Sequence, residues 1–151
     1  MIKIICVGKI KENYLKEAIF EYQKRIGKYT KLELIEVMDS TGDDISKILI
    51  SEKEKIDKYI QEKDYVITLE IEGRMLNSIE LSQTLDQITQ HHANVTFIIG
   101  GSYGLDETIK KRANLALSFS KLTFPHQLFR VLLLEQIYRS YRILNHESYH
   151  K

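Results

Sequence analysis

Strand-like and helix-like stretches alternate along the entire chain, and that alternation constrains the fold more than any other feature. IKIICVG (2–8), LELIEVM (32–38), YVITLEI (65–71), VTFIIGG (95–101) and ALSFS (116–120) are short apolar runs of strand length. Between the first two, Leu15, Ala18, Ile19, Tyr22 and Ile26 recur at helical spacing, and Gly27 follows as a stop. Between 43 and 61, Ile45, Ile48, Leu49, Ile56 and Ile60 mark one side of a charged helix. Gly73 is expected to end the third strand, and Ser78 to cap a helix that turns Leu81, Leu85 and Ile88 inward. Asp106 is expected to cap a short helix ending near Asn114, and Pro125 suits the first turn of the last helix. Repeated strand–helix units predict an α/β fold: a mostly parallel sheet of five to six strands, helices on both faces, right-handed crossovers. No internal repeat or Pro/Gly/Ser-rich linker divides the 151 residues, so residues 1–151 are expected to form one domain.

The last helix is unusual. Leu128, Phe129, Val131, Leu132, Leu133, Leu134, Ile137, Tyr138, Tyr141 and Leu144 leave it almost no polar face. A helix apolar nearly all round must be covered on more than one side, and so small a domain cannot easily do this alone. A homodimer is the expectation.

Composition narrows the class. Cys6 is the only cysteine and lies in an apolar run, so it reads as a buried strand residue and no disulfide framework is possible. Lysines at 3, 9 and 11 break up the first apolar stretch, no segment is apolar enough for a membrane span, and a cytoplasmic protein is expected. Net charge is +1, but residues 1–100 hold 14 basic against 17 acidic residues while 101–151 hold 8 against 4. The basic excess gathers in the last third and favours a polyanionic partner such as RNA there.

That last third also holds the chemistry. Gly-x-Gly-x-x-Gly is absent after the first strand, and Gly100-Gly101-Ser102-Tyr103-Gly104 lacks the Lys-Ser/Thr of a phosphate-binding loop. The glycine turn at the end of the fourth strand instead suits close approach of main-chain groups to an adenine or ribose. The segment Phe119-Ser120-Lys121-Leu122-Thr123-Phe124-Pro125-His126 ends the next strand; its apolar members can sandwich a flat ring, and Thr123 is a candidate cap for the last helix. No His, Cys or carboxylate group has metal-ligand spacing, and no nucleophile elbow supports a Ser-His-Asp site. Glu135 and Arg139, four apart, are placed for a helical ion pair.

GGSYGL, ALSFSKLTFPHQLFRVLLLEQIYRSYRI and the terminal YHK together resemble the ribosomal large-subunit pseudouridine N3-methyltransferases of the SPOUT superfamily. IKIICVGKIKENYLKEAIFEYQKRI and VITLEIEG are similar to the same family, so the likeness covers nearly the whole chain. Tyr103 in the glycine loop and a short 38–46 connection depart from its pattern. The resemblance implies a parallel α/β sheet with a C-terminal trefoil knot, S-adenosylmethionine (SAM) as methyl donor and no metal. It also implies a homodimer with its active site at the subunit boundary, and a pseudouridine in a stem-loop of 23S rRNA within the ribosome as substrate, with neither membrane nor DNA as partner. Carried over, Leu69, Gly100, Phe119, Ser120, Lys121, Leu122, Thr123 and Phe124 would line the cofactor pocket. Tyr149 and His150 of the tail are the catalytic candidates, and His126, Arg130, Arg139 and Lys151 are candidates to grip phosphate or orient the base. The rival expectation is a non-catalytic α/β module that binds an adenosine metabolite or docks on the ribosome.

Overall fold

The computed structural model describes residues 1–151. Five strands and five helices alternate: β1 (Ile2–Val7), α1 (Asn13–Ile26), β2 (Leu32–Val37), α2 (Ile45–Asp57), β3 (Tyr65–Met75), α3 (Ser78–His91), β4 (Val95–Ile99), α4 (Glu107–Arg112), β5 (Leu115–Ser118) and α5 (His126–Leu144). The strands form one sheet in the order β2-β1-β4-β3-β5, and every neighbouring pair is parallel. All residues of β1 and β4 are buried, as expected of central strands covered on both faces. β2, at one edge, is only partly covered.

Two apolar layers sandwich the sheet. Leu15 and Ile19 of α1, Leu81 and Leu85 of α3, and Leu133, Leu134 and Ile137 of α5 pack with Ile4, Ile67 and Phe97 on one face. On the other, Ile56 of α2 and Ile109 of α4 pack with Ile5, Val66 and Ile98. Helices thus cover both faces, with five strands rather than six. At the amino ends of the strands, Lys3 reaches the Asp64 carboxylate at 3.1 Å, and Asp64 also accepts from Thr96 Oγ1 and the Gln61 amide. Burial raises the Asp64 pKa, but the Gln61 amide, the Lys3 ammonium and the Asn94 side chain together outweigh it and hold the carboxyl below its usual range. No helix is long and apolar enough to cross a membrane.

Three local expectations need correction. β3 runs through Gly73 to Met75. A Cβ at Gly73 would lie 2.8 Å from the Ala116 and Leu117 backbone, so this glycine permits close strand approach and does not end the strand. Asn77, not Ser78, caps α3: its side chain accepts from the Glu80 amide while Glu80 accepts from the Asn77 amide, a reciprocal capping box. Thr123 does not cap α5; Pro125 stands at that position, with no side-chain bond to the first turn. Asp106 does cap α4, which ends at Arg112.

α5 packs against α1 and α3 along one side, where Leu133, Leu134 and Ile137 lie in the core. Leu128 stays exposed and Leu132 half-buried, so part of its apolar surface has no cover within the chain.

Candidate active site

A cleft of about 630 Å³ opens at the carboxyl ends of β3, β4 and β5, the end at which open parallel sheets hold ligands. Its size is that of a site for one small molecule. Each wall follows from local sequence. β4 stops at Ile99 because Gly100–Gly104 folds back on itself: Gly101 and Gly104 form an isolated antiparallel bridge, and Gly104 takes φ +80°. A Cβ on Gly100 would lie 2.5 Å from the Gly104 carbonyl oxygen, so only glycine fits this turn.

The second wall follows β5. Ser118 Oγ donates to the Ser120 carbonyl at 3.2 Å, and Ser120 Oγ accepts from the Leu122 amide at 2.9 Å, so two serines hold the loop. Phe119 and Phe124 both pack on Phe129 of α5, with ring centroids 4.9 and 6.0 Å apart. The third wall comes from β3. Leu69 and Arg74 both pair with Leu117, so residues 70–72 bow out of the ladder before Gly73 returns against β5. Glu70, Ile71 and Glu72 of this bow face the cleft, where Glu70 accepts from Thr68 Oγ1 at 2.6 Å and lies 3.9 Å from Lys110 Nζ.

Leu69, Gly100, Phe119, Ser120, Leu122, Thr123, Phe124 and His126 therefore converge on one cleft. Lys121 does not; its side chain is exposed and outside the lining. Two adjacent loop side chains point to different sides of the chain, so a continuous sequence match includes one that misses the cleft. Sequence reasoning also missed the cleft-facing Glu70, Ile71 and Glu72, because the bow that turns them inward is a register effect between β3 and β5, and with them Lys110 of α4, which lies 3.9 Å from Glu70.

Arg139, Tyr149 and His150 meet elsewhere. Glu135 Oε1 accepts from Arg139 Nη2 at 2.7 Å and from the Tyr149 hydroxyl at 3.1 Å. His150 Nδ1 lies 3.1 Å from Arg139 Nη1; arginine has only donors, so this ring nitrogen accepts. The Arg139 guanidinium stands 4.7 Å from the Tyr149 ring centroid, and the Tyr149 ring meets Tyr138 edge-on at 5.0 Å. Burial, then the bond to Glu135, raises the Tyr149 hydroxyl pKa. None of these residues lines the cleft of its own chain. The Glu135–Arg139 ion pair expected from their spacing is present, but as the centre of a four-residue cluster.

Arg130 is corrected outright. It is fully buried, donating to Glu36 Oε2 at 2.6 Å, the Gly8 carbonyl at 2.7 Å and the Val7 carbonyl at 3.2 Å, so it cannot touch an RNA phosphate. It ties the start of α5 to the tips of β1 and β2. The Cys6 thiol is buried nearby, and burial pushes its pKa up to about 12 against the lowering effect of the Arg130 charge, so it is no nucleophile. No group of three or more His, Cys, Asp or Glu is placed to hold a metal ion.

Comparison with known proteins agrees with this geometry. A family model described as "Predicted SPOUT methyltransferase" matches residues 1–150. Proteins named Ribosomal RNA large subunit methyltransferase H are similar over essentially their whole length. That of Caldicellulosiruptor saccharolyticus is 50% identical, with 100% of both chains covered. That of Clostridium botulinum strain Alaska E43 is 53% identical, with 99% of each covered. A solved structure titled "probable methylase family protein" from Haemophilus influenzae superposes with a TM-score of 0.60 at 13% identity, covering 99% of this chain and 70% of that one, and so speaks for the fold alone. With the family match spanning residues 1–150 and half of all positions shared with full-length relatives, this chain belongs to the SPOUT methyltransferase family.

Proposed function

We propose that this protein is a SAM-dependent methyltransferase that modifies N3 of a pseudouridine in a 23S rRNA stem-loop of the assembled ribosome. The observation that carries the reading is the cleft between the glycine turn and the Phe119–His126 loop, in a chain whose full-length relatives are named as ribosomal RNA methyltransferases.

The cleft fits an adenosine-containing sulfonium. Gly100 packs against the Gly104 backbone with no room for a side chain, which holds a tight turn whose glycines present peptide groups to the cleft. Leu69, Leu117, Leu122 and the Phe119–Phe124 pair offer apolar surfaces for a flat ring, with peptide groups of the loop at its edge. Glu70 and Glu72 offer acceptors for sugar hydroxyls. When bound there, SAM supplies an electrophilic methyl group for in-line displacement. The protein's task is then alignment, which supplies much of the barrier reduction in such a transfer.

The imide proton on N3 must leave before or during attack. The Glu135 carboxylate and the His150 ring are the acceptors in the α5–tail cluster, with Arg139 favouring the anionic form of the base. This cluster is remote from its own cleft, and the uncovered Leu128 and Leu132 call for a second subunit. A homodimer that brings one subunit's Tyr149 and His150 to the other's cleft satisfies both facts. His126, in the cleft wall, is then free to orient the base. The family also implies a C-terminal trefoil knot, within a single cytoplasmic domain spanning residues 1–151.

The test is to incubate the protein with labelled SAM and ribosomes from cells lacking the modification, then locate the label by mass spectrometry. One methyl on N3 of a 23S pseudouridine is expected. Binding of SAM without transfer would favour the non-catalytic alternative, and label on another nucleotide would reassign the substrate.

A further inference from the structure

Seven residues follow α5, and a terminal segment of this kind ordinarily frays. Here it is folded back. His146 takes φ 55°, a left-handed conformation uncommon outside glycine. Around it, the His146 amide donates to the Ile143 carbonyl at 3.1 Å and the Glu147 amide to the Arg142 carbonyl at 2.9 Å, closing the helix end. The Glu147 carboxylate then accepts from the Tyr29 hydroxyl at 2.7 Å and from Arg142 Nη1. Arg142 Nη2 also donates to the Ser148 carbonyl at 2.9 Å.

Tyr29 lies in the turn between α1 and β2, and its ring stacks on Tyr141 at 5.5 Å with planes 12° apart. The bond to Glu147 raises its hydroxyl pKa and so keeps it a donor. One side chain from the turn after α1, 118 residues away in sequence, thus meets the first turn of the tail. Tyr149, the next residue after Ser148, reaches Glu135, and His150 reaches Arg139. Exposed ion pairs of this type contribute little to global stability. Their effect here is directional: they choose where a short flexible segment points.

We infer that Tyr29, Arg142 and Glu147 form a latch that positions the tail carrying Tyr149 and His150 for methyl transfer; this rests on the function proposed above. These three residues touch neither the cleft nor the reacting atoms, so they act through the tail. Small displacements of a group that must be aligned are costly in rate, and each latch contact removes freedom the tail would otherwise have.

Tyr29→Phe, Glu147→Leu and the double variant test the latch, leucine being the change that removes the acceptor. Each single change is expected to lower kcat about fivefold, the loss of one weak contact, and to leave the KM for ribosomes within about twofold. The double variant should lose no more than the worse single, because both remove one shared interaction. SAM affinity by calorimetry and the melting temperature should match wild type. A second readout needs no activity: timed carboxypeptidase Y digestion followed by mass spectrometry should release Lys151 and His150 about fivefold faster from the variants. Equal digestion rates would overturn the latch even if the wild-type protein proved inactive on ribosomes, an outcome that separately refutes the proposed function. Faster digestion with unchanged kcat, or loss of kcat in step with melting temperature and SAM affinity, would overturn the positioning role.

Discussion

Replacing Arg130 by methionine is the most demanding test of how this structure is held together. Methionine keeps most of the side-chain stem and removes the guanidinium, which bridges Glu36, the Gly8 carbonyl and the Val7 carbonyl. Truncating one partner of a buried ion pair costs about 3–5 kcal/mol when the other charge stays buried. Glu36 is 36% exposed and retains its bond from the Ile10 amide, so water can solvate what Arg130 leaves behind. The loss should therefore sit at the lower end, about 3 kcal/mol, mostly from the carbonyls stranded at the end of β1. For a chain of this size that corresponds to a fall of about 6–12 °C in melting temperature. Thermal and urea unfolding should be run at one protein concentration, because the proposed dimer would make apparent stability depend on it. Arg130→Lys should fall between the two, since an ammonium cannot span the same partners in a fixed fork. A melting temperature within about 2 °C of wild type would refute the reasoning. So would a drop of about one in the salt-dependence slope of ribosome binding, because a buried arginine neutralises no phosphate.

Gly100→Ala forces a Cβ to within 2.5 Å of the Gly104 carbonyl oxygen and 2.7 Å of its carbon, backbone atoms that no rotamer change can move aside. The turn must open, and SAM affinity by calorimetry should fall at least about fivefold, the low end of an overpacking cost; unchanged affinity would remove the glycine turn from the site. Asp64→Asn probes the opposite end of the sheet, where the carboxyl has a lowered pKa. A depressed folded-state pKa contributes stability in full above the unfolded value and loses it as pH falls through the folded one. In urea unfolding across a pH series, wild type should exceed the variant by a constant margin above about pH 5, and the margin should shrink below about pH 4. A margin that widens on acidification would show that the Lys3–Asp64 pair is not its source.

What could be read from the sequence divides along a physical line. Features fixed by neighbours along the chain were legible: the fully buried run of β1, the Asp106 cap of α4, the Glu135–Arg139 pair, and the two loops that bound the cleft. Features fixed by contact between distant segments were not. Gly73 looked like a strand end because its purpose, making room for Ala116 and Leu117, appears only when β5 lies alongside. Arg130 looked like a surface cation on an apolar helix because nothing nearby in sequence announces Glu36, 94 residues away. The cap of α3 was misplaced by one residue because Asn77 and Ser78 are both good capping residues, and the reciprocal bond from Glu80 decides between them. Arg139, read with His126, Arg130 and Lys151 as a phosphate or base contact, instead meets His150 of the tail, a contact between segments that the left-handed turn at His146 brings together.

The bow of β3 has a consequence for how the protein matures. Its outward curve exists only where Leu117 meets both Leu69 and Arg74, and the opposite wall is laid down later still, by residues up to the start of α5. A growing polypeptide that has completed four of its strands therefore owns most of its hydrophobic interior but no complete cleft. Ligand capture becomes a sign of late assembly, withheld from every precursor that stops short of α5.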